Sequence, residues 1–98
     1  MPAPQHSAVT IDNGINVTKC HQAINRMATD EPTLGLVANV ARNCIDAGRG
    51  DQGERCETAL TYLLGAYDAL SASSLRHAAV RVHVCRQELK ALIPGRLR

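Results

Sequence analysis

The sequence has no Phe and no Trp, and Tyr62 and Tyr67 are its only aromatic residues. A core without large rings must be filled by branched aliphatic side chains and Ala, and a platform for stacking unpaired bases is missing. No apolar run approaches the ~20 residues needed to cross a bilayer, so no membrane span is expected. The first ten residues hold neither a basic cluster nor an apolar stretch, so no secretory signal is expected. A cytoplasmic, bacterial-type protein is the expectation, a setting in which Cys residues stand as thiols. Alternating β-branched stretches are scarce as well. The nearest, Val80, Val82 and Val84, lies inside a helical pattern.

Acidic residues nearly vanish beyond residue 70. Glu88 stands there alone against Arg76, Arg81, Arg86, Lys90, Arg96 and Arg98, whereas residues 1–70 carry five Lys/Arg and eight Asp/Glu. The overall charge of +2 hides this division. A basic C-terminal segment favours an acidic partner or an acidic neighbouring face. Nucleic-acid binding through the last helix is the third-ranked reading, because the surplus is small and stacking residues are lacking.

What the chain does contain points to helices. Apolar residues make up 45% of its 98 residues, and the 14 Ala allow helices to approach closely. Leu75, Ala78, Val82, Cys85, Leu89 and Leu92 recur in steps of three and four, as do Cys56, Leu60, Leu63, Tyr67 and Leu70. Val37, Val40, Ala41 and Cys44 form a third seam flanked by Leu34 and Ile45; Val17, Cys20, Ile24 and Met27 form a fourth. The breaks have matching chemistry. Thr29-Asp30-Glu31-Pro32 offers caps and a first-turn Pro. Gly48-Arg49-Gly50-Asp51 ends one helix, and Asp51-Gln52-Gly53-Glu54 starts the next with a near capping box. Ser71-Ala72-Ser73-Ser74 is a softer break that leaves helices three and four either separate or one long bent helix. Pro94-Gly95 stops the last.

The expected fold is all-α: an antiparallel, up-down four-helix bundle, homodimeric, with helices at 14–28, 32–47, 52–71 and 74–93. Residues 12–98 form its single domain, and residues 1–11 a flexible arm.

Each expected helix carries one Cys on its seam. Reflecting positions across turns near residues 31, 50 and 73 brings Cys20, Cys44, Cys56 and Cys85 within about five residues of height, roughly 7.5 Å. Three readings stand side by side: small core hydrophobes, a disulfide for which Cys44 and Cys56 are the candidates, and a four-thiolate metal site. Close ligand pairs of the C-x-x-C kind are absent from the sequence.

Residues 48–53 match G-x-G-x-x-G, but the dinucleotide fingerprint requires a preceding strand, so a helix-cap role is expected. Arg49-Gly50-Asp51 and the acceptor-like Asn16-Val17-Thr18 lack meaning without secretion. His77 and His83 lie six apart, a poor spacing for a metal pair on one helix, and with His21 read as surface residues. Phosphate-binding, di-iron, haem-attachment and hydrolase motifs are missing, and no pair of carboxylates invites acid–base chemistry. No enzyme activity, cofactor or small-molecule substrate is expected.

Apolar residues outside the seams remain: Val80 and Val84 on the last helix, with Leu36, Leu64 and Ile93 elsewhere. They widen the core or form an interface. The interface reading places Val80 and Val84 against a companion, flanked by Arg76, His83 and Lys90 at seven-residue steps. It implies a non-enzymatic, homodimeric interaction protein, an antagonist or adaptor that regulates another protein. The alternative is a thiol or metal module using Cys20, Cys44, Cys56 and Cys85.

Overall fold

The computed structural model describes residues 11–12 and 15–93. The expected arm over residues 1–11 lies, except for Ile11, outside the described residues, as does Pro94-Gly95. Within them the chain is an antiparallel bundle of four helices: α1 (Val17–Asp30), α2 (Gly35–Ala47), α3 (Gln52–Ala72) and α4 (Arg76–Leu92). The main packing pairs are α3 with α4, α2 with α3, α1 with α4 and α1 with α2, which closes a ring with α1 diagonal to α3.

The first helix begins three residues later than the spacing predicts. A two-residue strand β1 (Ile11–Asp12) pairs antiparallel with β2 (Ile15–Asn16), Asp12 opposite Ile15. Ile15 is buried under the bundle, and the Asn16 side chain then accepts from the Lys19 amide at 3.0 Å. That cap satisfies a first-turn donor and sets the helix start at Val17. α1 buries Cys20, Ala23, Ile24 and Met27, while Val17, the first residue of its predicted seam, is half-buried.

The second helix also starts later, after a 3-10 turn at Pro32–Leu34 in which the Leu34 amide donates to the Glu31 carbonyl at 2.9 Å. α2 is rotated relative to its predicted seam: Leu34, Ala38, Ala41 and Ile45 are buried, while Val37, Val40 and Cys44 are half-buried on its flank. Ala38 joins the predicted Ala41 on the inward face, and the two small side chains let α2 sit closer to its neighbours than Val side chains would permit.

The α2–α3 connection follows its sequence cues. A Cβ on Gly48 would collide with the Cys44 carbonyl oxygen, and Gly50 takes the left-handed φ of 91°. Asp51 caps α3 by accepting from the Glu54 amide at 2.8 Å, and Glu54 returns the bond to the Asp51 amide at 2.8 Å. α3 buries Cys56, Ala59, Leu60 and Leu63.

α3 and α4 are separate helices. Ser74 adopts φ 61°, the Ser74 amide donates to the Ser71 carbonyl at 3.1 Å, and the Leu75 amide donates to the Leu70 carbonyl at 2.9 Å. This pair of bonds is the Schellman ending, here with Ser in the position usually held by Gly. α4 buries Ala78, Ala79, Val82, Cys85 and Leu89. Two predicted positions exchange roles at its ends. Leu75, placed on the core seam by its spacing, precedes the helix and is 54% exposed; Ile93, counted as surplus, follows the helix and is 4% exposed. Each lies beyond the helical register that the spacing assumed.

Candidate functional site

The thiols and the outward face of α4 are the two constellations singled out by the sequence. Three of the four thiols meet inside the bundle. Cys20, Cys56 and Cys85 are buried, the Cys20 thiol is in hydrogen-bonding contact with Cys56, and Cys85 is close by. The contact to Cys56, then burial, then the proximity of both neighbours push the Cys20 thiol far above its ordinary range. Burial, with Glu88 adding and Arg26 opposing, pushes Cys85 up to about 12.

Cys44 is not part of this group. It is half-buried on the flank of α2, near enough to Tyr62 that it adds to the effect of burial in raising the tyrosine hydroxyl. Burial raises the Cys44 thiol as well, against the pull of a backbone hydrogen bond. All four cysteines are free, and the candidate Cys44–Cys56 bridge is not formed. The inward face of α2 carries Ala38, Ala41 and Ile45 and leaves Cys44 on the flank, while Cys56 meets Cys20 instead. The four-thiolate cluster fails for the same reason: among the described residues no group of three or more His, Cys, Asp or Glu is arranged to hold a metal. Protonated, buried thiols are poor nucleophiles and poor ligands. Their setting suits apolar packing.

The outward face of α4 carries all five residues of the expected interface. Val80 is 53% exposed and Val84 43%, and Arg76, His83 and Lys90 are exposed along one flank. Tyr67 of α3 supports His83, with ring centroids 5.5 Å apart. Other charges on α4 serve the bundle itself. Arg86 Nε donates to the Leu60 carbonyl at 3.1 Å. Arg81 lies 3.8 Å from Asp30, and Glu88 accepts from Arg26 at 3.0 Å. The one acidic group of α4 is therefore neutralised by α1, and its outer flank presents cations alone. Arg76 and Lys90 have no carboxylate partner among the described residues. Of the remaining histidines, His21 pairs with Asp46 at 2.9 Å, and His77 is exposed.

The sequence reading missed a groove of about 780 Å³ at the bundle end where the α1–α2 and α3–α4 connections meet. Its lining residues Val37, Leu70 and Leu75 had been assigned to core seams. Only the Ser-rich break beside Leu75 hinted that this end is open.

No protein-family model matches the chain, and neither a curated protein nor a solved structure shows significant similarity to it. The fold itself defines the class as a small antiparallel four-helix bundle. No helix of the described residues is long and apolar enough to cross a membrane.

Proposed function

We propose that this chain is a non-enzymatic interaction module whose α4 face receives an acidic amphipathic helix of a regulated partner protein. The observation that carries the reading is the exposed Val80–Val84 pair, bordered by Arg76, His83 and Lys90. Aliphatic side chains four residues apart, beside Arg76, His83 and Lys90 at seven-residue steps, match the repeat of an opposing helix. Covering the exposed halves of both Val side chains contributes about 2 kcal/mol, roughly thirtyfold in affinity. The cations add register and salt-sensitive attraction.

A second copy is the simplest companion on sequence grounds. In an antiparallel two-fold pairing of α4 with itself, however, like flanks meet, setting Arg76 of one copy near Lys90 of the other. Like charges weigh against that assembly and toward a partner whose flank is acidic. An antagonist or adaptor role fits such a surface.

The test is affinity for a synthetic helical peptide bearing Leu at four-residue steps and Glu at seven-residue steps. Binding at low salt that weakens as salt rises, and that is lost in the Val80→Asp/Val84→Asp variant with helicity kept, is the expected result. Unchanged affinity in that variant, or tight self-association with no peptide binding, overturns the proposal.

A further inference from the structure

The groove at the bundle end lies between residues distant in sequence: the segment after α1 on one side, the start of α4 on the other. Its volume of about 780 Å³ falls in the range of small-molecule sites, roughly 300–1,000 Å³. The walls are aliphatic, formed by Leu34, Val37, Leu70, Leu75 and Ala78. Leu34 and Ala78 are buried core residues, so the floor of the groove is the edge of the core itself. No Phe, Tyr or Trp lines it, and His77 stands at the rim, so the aliphatic floor gives a saturated chain continuous contact.

The rim is polar and unevenly satisfied. On the α1–α2 side, Thr33 Oγ1 donates to Glu31 Oε2 at 2.7 Å, so these two groups answer each other. On the α4 side, Arg76 and His77 border the groove. The Arg76 guanidinium makes no ion pair among the described residues. A ligand with an anionic head would therefore be drawn to the α4 side and turned away from Glu31, while its apolar part covers Leu75, 54% exposed without it. Apolar walls with one unpaired cation at the mouth call for an amphiphile of opposite charge.

We propose that this groove binds a saturated aliphatic carboxylate, its chain on Leu34, Val37, Leu70, Leu75 and Ala78 and its head at Arg76. The groove shares Arg76 with the flank of the Val80–Val84 face, so the two proposals are separated by Leu75→Asp, which alters the groove alone, and Val80→Asp/Val84→Asp, which alters the face alone.

The test titrates the full chain with decanoate, and with decanol as the neutral counterpart, below micelle-forming concentrations, following methyl resonances. Decanoate shifts the Leu34, Val37, Leu70 and Leu75 methyls saturably, and decanol binds about tenfold more weakly, the scale of a charge-assisted contact. Arg76→Ala removes that tenfold preference; Glu31→Gln strengthens decanoate binding; Leu75→Asp abolishes both ligands with helicity intact by circular dichroism. Lys19→Ala, which removes a distant cation, leaves affinity unchanged. The absence of saturable shifts overturns the proposal. So does equal affinity for the two ligands, or a response centred on Val80 and Val84.

Discussion

The Cys20 thiol of α1 meets Cys56 of α3 across the diagonal of the bundle. Helices on a diagonal normally have larger side chains between them. Here the short Cys side chains, with Ala23, Ala38, Ala41 and Ala59 buried around the ring, let four helices close on a core without Phe or Trp. The contact also keeps both thiols away from solvent.

Thiol accessibility follows from this burial. In the folded chain Cys44 reacts with a soluble alkylating reagent, whereas Cys20, Cys56 and Cys85 react only on unfolding. Mass spectrometry after timed alkylation reads the sites; fast modification of Cys20 or Cys56 ahead of Cys44 contradicts the packing.

The same thiols set a pH dependence. A Cys85 thiol held near 12 in the fold and near 8.5 in the unfolded chain keeps its proton longer when folded. The native state then binds more protons, so stability falls as pH rises above about 8.5, by at most about 1.4 kcal/mol per pH unit for this group. Cys20 acts in the same direction. Urea titrations between pH 8 and 11 should show a falling midpoint, with a shallower fall in Cys85→Ala. A rise across that range contradicts the assignment.

Ser74 carries the strain of the α3 ending, with a positive φ of 61°. Glycine adopts this conformation freely, while an L-residue incurs roughly 1–2 kcal/mol. Against the greater freedom of Gly in the unfolded chain, Ser74→Gly gains about 0.5–1 kcal/mol and raises Tm by several degrees. An unchanged or lower Tm by calorimetry means that the turn is not strained.

The rotation of α2 is tested by volume. Ala38 is fully buried, so Ala38→Leu overpacks the centre of the bundle and costs about 1–3 kcal/mol. Leu36, 74% exposed, is the contrast: Leu36→Gln changes stability by less than about 0.5 kcal/mol. Chemical denaturation of both variants decides; equal losses would place the wrong face inward.

Much of this fold was legible because helical seams and caps are local. The Cys20–Met27, Cys56–Leu63 and Ala78–Leu89 spacings identify the buried faces of three helices, and Asp51 with Glu54 announces the α3 cap. α2 was misjudged because Val outranks Ala in hydrophobicity, while close helix approach rewards Ala. The separation of α3 from α4 was ambiguous because Ser74 occupies a position that Gly would have marked. The exposure of Arg76, Val80, His83, Val84 and Lys90 together was legible because a single helix contains all five. The bundle-end groove was invisible, since Val37 and Leu70 become neighbours only through the tertiary fold, and the cysteine heights said nothing of rotation about each helix axis.

The most direct test of the interaction surface is a charge exchange across it. The Arg76→Glu/Lys90→Glu variant should lose the Glu-bearing peptide and bind a peptide with Lys in the same positions, as measured by fluorescence anisotropy at low salt. If the variant keeps the acidic peptide, or if neither peptide distinguishes it from the original chain, the outer flank of α4 is not the surface that selects a partner.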